Sequence, residues 1–191
     1  MDQVLPAISN APFVMAIIAA VISGIVLLLD IPPLVWHIRH RNLGAGSLIG
    51  WLLVLNLMTF TNALIWPNDN LNEWWHGHGL CDVEVRIKVG ASNALPGALT
   101  CIMRHLAAVL DTENIIPSMK TKRLSHIIDL ILCFGIPVLS MIALYLVQDL
   151  RYYLTGISGC LVSVDNSWPS LITIYLWPLI LTLLAAYYAG M

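Results

Sequence analysis

Charge is what this sequence has least of. Of 191 residues, 59% are hydrophobic and 10% are charged, where a soluble domain carries about 25% charged residues. A chain of this size has no core large enough to hide so much apolar surface, because small domains bury only about two-thirds of the area their unfolded chains expose. Water is therefore not the solvent for most of the chain. The net charge of -2 is too small to suggest nucleic acid or an electrostatic membrane patch. Four cysteines, Cys81, Cys101, Cys133 and Cys160, are too few and too scattered for a disulfide-stapled mini-domain or a zinc knuckle. A basic n-region is missing too. Asp2 stands where a signal peptide needs Lys or Arg, and the uncharged run Gln3–Leu29 is too long for an h-region. There is no internal repeat, low-complexity tract, phosphate loop, nucleophile elbow or His-Glu-x-x-His pattern, so an enzyme reading has no positive support.

What remains is long apolar runs. A spanning helix needs about 20 mostly apolar residues. Five segments qualify: about Ala11–Trp36, Ser47–Trp66, Ile87–Leu110, Ile127–Val147 and Trp168–Tyr188. Their apolar stretches are continuous, as in "VMAIIAAVISGIVLLL", rather than the alternating ten-residue segments of a membrane barrel. Lipid admits only structures that satisfy their own backbone, so a continuous run means a helix. The expected class is an all-α membrane protein, a transmembrane helix bundle.

Basic residues orient the bundle. Arg39 and Arg41 follow the first run. Lys120, Lys122 and Arg123 follow the third, with Arg104 just inside it. Arg86 and Lys88 follow the second, and Arg151 the fourth. Six against three places the N-terminus outside and the first and third loops in the cytoplasm. The stretch "WPNDNLNEWWHGHGLCDVEVR" then forms an outer loop, with Trp66, Trp74 and Trp75 as an interfacial aromatic belt.

Within that loop His76 and His78 suggest a metal, but only Cys81, Asp82 and Glu84 lie near and no second cluster completes a ligand set. A hydrated loop, turned tightly at Gly77 and Gly79, is the preferred reading. Cys81 and Cys160 both fall on the outer, oxidising side, where a bridge between two loops persists if geometry allows. Cys101 and Cys133 lie inside spans and read as packing residues. Asp30 is either functional or paired near the interface with Arg39. Arg104 is two to three turns inside the third run and must face the bundle interior or its cytoplasmic mouth. Pro96-Gly97 predicts a kink in that run, serving as a hinge or as plain packing, and Pro137 and Pro178 raise the same question.

Taken together, Pro32–Pro67, Trp74–Thr112 and Ile131–Cys160 resemble the fungal mating-pheromone receptors of the a-factor receptor family, seven-span class D G-protein-coupled receptors. The resemblance is carried by Pro33-x-x-Trp36-His37 with its basic first loop, Cys81-Asp82 at the mouth of span three, and Cys101-Ile102-x-Arg104 near its inner end. It covers essentially the whole chain. It implies that five spans of an expected seven are present and that two further spans and a hydrophilic tail follow Met191. It also implies a plasma-membrane receptor for a farnesylated peptide pheromone, coupled to a heterotrimeric G protein, with no cofactor and no nucleic-acid partner. An apolar outer cavity rimmed by Trp66, Trp74 and Trp75 suits a prenyl chain, which gains about 0.8 kcal/mol per buried CH₂. Asp69, Glu73 and Asp82 would meet polar groups of the peptide. On the inner face Arg104, Lys120, Lys122 and Arg123 are the expected G-protein contacts. The alternative for these bases is topology alone, holding the loops inside against anionic lipid. The rival classes are a transporter or channel subunit, which needs paired broken helices or a path of ionisable groups, and a ligand-free membrane scaffold.

Overall fold

The computed structural model describes residues 5–68, 74–110, 119–165 and 168–190. Five helices in it are long and apolar enough to cross a membrane: Phe13–Arg39, Leu43–Ile65, Leu80–Leu110, Arg123–Val147 and Trp168–Ala189. Large apolar side chains stand outward along all of them, among them Leu28, Val109 and Leu146, as they must when lipid is the surroundings. The chain is an α-helical multi-span membrane protein.

Helix α1 (Leu5–Arg39) ends in two reverse hydrogen bonds: Asn42 N–H donates to His37 C=O at 3.0 Å and Arg41 N–H to Ile38 C=O at 3.1 Å. Arg41 takes the left-handed conformation, φ 54°, that this cap demands. Asn42 then starts α2 (Leu43–Ile65), its Oδ1 accepting from Ala45 N–H at 3.2 Å. That cap draws the second helix four residues ahead of the Ser47 expected from hydropathy, because an N-cap side chain replaces the partner the first turn lacks.

Helix α3 (Leu80–Leu110) is the hub, packing on α2, on the fourth span and on the last helix. Its buried face is made of small residues, including Gly90, Ala91, Ala94, Gly97, Ala98 and Cys101. Small residues let membrane helices approach closely, where packing rather than the hydrophobic effect drives association. At Gly97 it is backbone that comes close: a Cβ there would run into the backbone carbonyl of Leu132. The third helix begins at Leu80 rather than near Ile87. Cys81, Asp82, Glu84, Arg86 and Lys88 are thus helical and not part of the preceding loop, with Asp82 in the first turn, where a carboxylate suits the helix dipole.

The fourth span joins α4 (Met119–Leu130), a π-helical turn (Ile131–Gly135) and α5 (Ile136–Val147). The fifth joins a short α6 (Trp168–Ser170), a second π-turn (Leu171–Leu176) and α7 (Trp177–Ala189). Each wide turn lies just before a proline, Pro137 and Pro178. A proline has no N–H to give the carbonyl four residues back, and its ring collides with it; widening the helix relieves both. At Pro137 the orphaned carbonyl is that of Cys133, and the Trp51 indole N–H of α2 donates to it at 3.4 Å. Pro96 behaves differently, since α3 remains α-helical through it. Thr100 Oγ donates to the Pro96 carbonyl at 2.8 Å, and is 2.9 Å from the Leu181 carbonyl of α7.

Between the last two spans the chain forms a two-stranded antiparallel hairpin, β1 (Tyr153–Thr155) and β2 (Gly159–Leu161), in the register Leu154 opposite Cys160. The apolar run lengths that revealed the spans held no sign of it.

Candidate functional site

One end of the bundle is closed by this hairpin. A disulfide joins Cys81, in the first turn of α3, to Cys160 in β2, with Cα atoms 5.2 Å apart. Ile157, at the hairpin turn, donates its N–H to the Trp66 carbonyl at 3.0 Å. Beneath lies a core of Trp66, Cys81, Val85, Val89, Leu144, Val147, Cys160 and Ile174.

Trp66 is the one rim residue expected from the sequence that the structure moves. It is not on a rim at all but fully buried, 0% exposed. Its indole N–H donates to the Trp75 carbonyl at 3.1 Å, so the ring needs no water. Gly77, at φ 65°, passes close against it and has no room for a side chain. Trp75 is 53% exposed and lies parallel to Trp66, ring centroids 6.4 Å apart and planes 12° from parallel. Trp74 is partly buried, its N–H on the Asn68 carbonyl at 3.0 Å. Asp82 faces Arg151 at 2.8 Å. Asp69 and Glu73 lie outside the described residues. His76 and His78 stack with centroids 5.9 Å apart; the Tyr152 hydroxyl donates to the His76 carbonyl at 3.0 Å and is 3.1 Å from His78 Nδ1. Among the described residues no group of three His, Cys, Asp or Glu side chains is placed to hold a metal.

Below this surface is a polar cluster that sequence reasoning missed. Glu84 is 2% exposed and is bound by Asn62 Nδ2 of α2 and by Lys88 Nζ, the latter at 2.9 Å. Lys88 spends its other protons on the hairpin, donating to Ser158 O at 3.0 Å and Cys160 O at 2.8 Å. Asn62 Nδ2 also reaches Ser158 O at 3.2 Å. A buried charge is tolerated only when paired and hydrogen-bonded. Here one ammonium meets one carboxylate oxygen, Glu84 Oε1, and two carbonyls, and so ties α3 to the hairpin, while Glu84 Oε2 is buried without a partner among the described residues. The Glu-x-x-x-Lys spacing, one helical turn apart, was the available clue. It was obscured because the third helix was expected to begin after Glu84.

The opposite end is built differently. Arg104 is held by Asp129 of α4 and donates to Ser125 O and Oγ at 3.1 and 3.0 Å. His105 Nε2 lies 2.8 Å from the other Asp129 oxygen. Arg104 is thus turned into the bundle, as its depth required, and Asp129 is the counter-charge that such a depth calls for. Arg123 is exposed on α4. Lys120 and Lys122 lie in the first turns of the same helix, and their side chains are outside the described residues. Asp30 makes no ion pair with Arg39 among the described residues, and its Oδ2 is buried without a partner. Cys101 and Cys133 pack together in the membrane, Sγ atoms 3.5 Å apart.

Comparison with known proteins follows the same bundle. The family model described as "STE3: Pheromone A receptor" matches residues 18–191. The "Pheromone a factor receptor" of Saccharomyces cerevisiae is 32% identical over 91% of this chain and 36% of its own length. The "Pheromone B alpha 1 receptor" of Schizophyllum commune is 28% identical over 85% of this chain and 25% of its own. "Pheromone receptor 1" of Mycosarcoma maydis is 28% identical over 78% of this chain and 39% of its own. The chain therefore spans well under half the length of these relatives. No solved structure matches it significantly. With a family match running from early in the first span through the fifth, the chain belongs to the STE3 pheromone A receptor family.

Proposed function

We propose that this chain is the five-span portion of a mating-pheromone receptor of the plasma membrane, its N-terminus outside, which binds a lipidated peptide at the hairpin end and activates a heterotrimeric G protein at the other. The observation that carries the reading is the family match over residues 18–191. The geometry supports it in two ways. The hairpin end carries a half-exposed indole, Trp75, which stacks on the buried Trp66, and a carboxylate, Asp82, next to the disulfide-bonded Cys81 and paired with Arg151. That pairs apolar area for a prenyl chain with a polar handle for the peptide. Trp66 contributes from below, holding the Trp75 segment in place rather than touching ligand. At the other end Arg104, Arg123, Lys120 and Lys122 mark the side of the bundle that meets the G protein. Agonist acts there by shifting a pre-existing equilibrium of helix positions.

The test uses the full-length receptor in a pheromone-response reporter. Trp75→Ala and Asp82→Lys should weaken pheromone potency or change which pheromone is preferred, with surface expression retained. Arg104→Ala with Arg123→Ala should lower coupling without lowering pheromone binding. If all three variants respond as the parent does, both site assignments are wrong. An N-terminal tag that antibody reaches only after permeabilisation would reverse the orientation.

A further inference from the structure

Two cavities adjoin at the inner end of the bundle. One is a groove of about 730 Å³ between α1, α2 and the fourth span, lined by Leu34, Ile38, Val54 and Phe134 together with His37 and Gly50. The second is a polar cleft of about 650 Å³ lined by Arg104, His105, Ser125 and Asp129. Arg41, Asn42, Leu43 and His126 line both. The join lies at the turn between α1 and α2, at membrane-interface level. An apolar trough that opens onto a basic cleft there has the form of one molecule: a hydrocarbon chain ending in an anionic group.

Arg41 carries the argument. It occupies the left-handed capping position of α1, φ 54°, where glycine is the favoured residue because any side chain is strained. A residue that breaks the local rule is a pointer to function. Its guanidinium makes no hydrogen bond or ion pair among the described residues, whereas Arg104 in the same cleft is already neutralised by Asp129. His37 adds a second open valence: its Nδ1 is buried without a partner at the groove. At Gly50 an added Cβ would meet nothing within 4 Å, so the groove is open space there.

We infer that this site binds an anionic phospholipid of the leaflet facing Arg41. Its phosphate sits between Arg41 and His126, and an acyl chain lies in the groove along α1 and α2. Arginine suits this role because its fork of donors matches phosphate oxygens. The inference does not depend on which pheromone the receptor binds.

The experiment uses full-length receptor in phosphatidylcholine nanodiscs with a phosphatidylserine probe carrying a photoreactive acyl chain. Labelling should fall on peptides covering residues 34–54 and be displaced by unlabelled phosphatidylserine but not by extra phosphatidylcholine. Arg41→Gly should weaken binding about fivefold, the equivalent of one interfacial cation. The same variant should leave the lipid-free Tm unchanged or raised, because glycine relieves the strained cap; a purely structural role for Arg41 would lower it. Gly50→Leu, which fills the trough, should reduce labelling independently. Several outcomes overturn the inference. Equal competition by phosphatidylcholine means annular lipid only. Full competition by glycerophosphoserine, the headgroup without chains, means a site for a soluble phosphate compound. Absence of label from residues 34–54 means that another part of the receptor or a protein partner covers the groove. Unchanged binding in Arg41→Gly removes the headgroup contact.

Discussion

The two ends of this bundle are fastened by different means. At the hairpin end the ties are covalent or buried: a disulfide, an indole at 0% exposure, and an ammonium shared among a carboxylate and two carbonyls. At the other end the tie is an ion pair between α3 and α4, with an exposed histidine on its rim and open cavities on either side. The first kind resists rearrangement, since breaking any part strands a buried group. The second has fewer parts: one buried carboxylate, Asp129, lies between Arg104 and the exposed His105, so a counter-group remains beside it if the arginine is drawn away. On the function proposed above, this asymmetry would hold a ligand-facing surface still while the opposite end changes partners.

That contrast can be broken from the strong end downward. Cys160→Ser should cost the most, about 2–5 kcal/mol, read as a fall in Tm of the purified receptor; reducing agent should reproduce it in the parent and add nothing in the variant. Next is Lys88→Met, which strands Glu84 and should cost about 3 kcal/mol. The double variant Lys88→Met with Glu84→Gln should recover part of this, and strict additivity would show that the two are not coupled. Arg104→Ala should cost less, about 1–2 kcal/mol, because His105 still faces Asp129. Its larger effect should appear in G-protein coupling, measured as nucleotide exchange. Smallest is Arg151→Ala. This side chain is 75% exposed, although it contacts Asp82, and exposed pairs are worth at most about 1 kcal/mol. A Tm shift as large as that of Lys88→Met would mean that the Asp82 pair, and not the buried cluster, holds the hairpin.

How much of this the sequence discloses depends on what drives each feature. The five spans are legible because lipid imposes a length and an apolar character on each helix by itself. Arg104 facing inward follows from the same energetics. Helix starts are less legible, because a capping Asn42 or the glycines before Leu80 outweigh local hydropathy. The burial of Trp66 was hidden because a tryptophan beside Pro67 at a span end fits an interfacial belt equally well; only the loop folding back over it decides. Glu84, Lys88 and Asp129 were missed as members of sites for a related reason. Each also has a partner far away in sequence, Asn62 for Glu84, Ser158 and Cys160 for Lys88, Arg104 for Asp129, and such pairings exist only once the helices are packed. The hairpin is three residues per strand, too short to show a period.

The wide turns before Pro137 and Pro178 alter how positions along the last two spans should be counted. An α-helix advances about 100° per residue, so accommodating one extra residue swings everything beyond it by roughly that angle. Side chains on the hairpin side of Ile131–Gly135 therefore do not share a stripe with those seven residues earlier, and a helical wheel drawn through the whole span assigns half of them to the wrong face. Deleting a single residue within Ile131–Gly135 would restore a regular helix and keep Ser140, Leu144 and Val147 on the buried face they now occupy, whereas the same deletion just after Pro137 would swing them by roughly 100°.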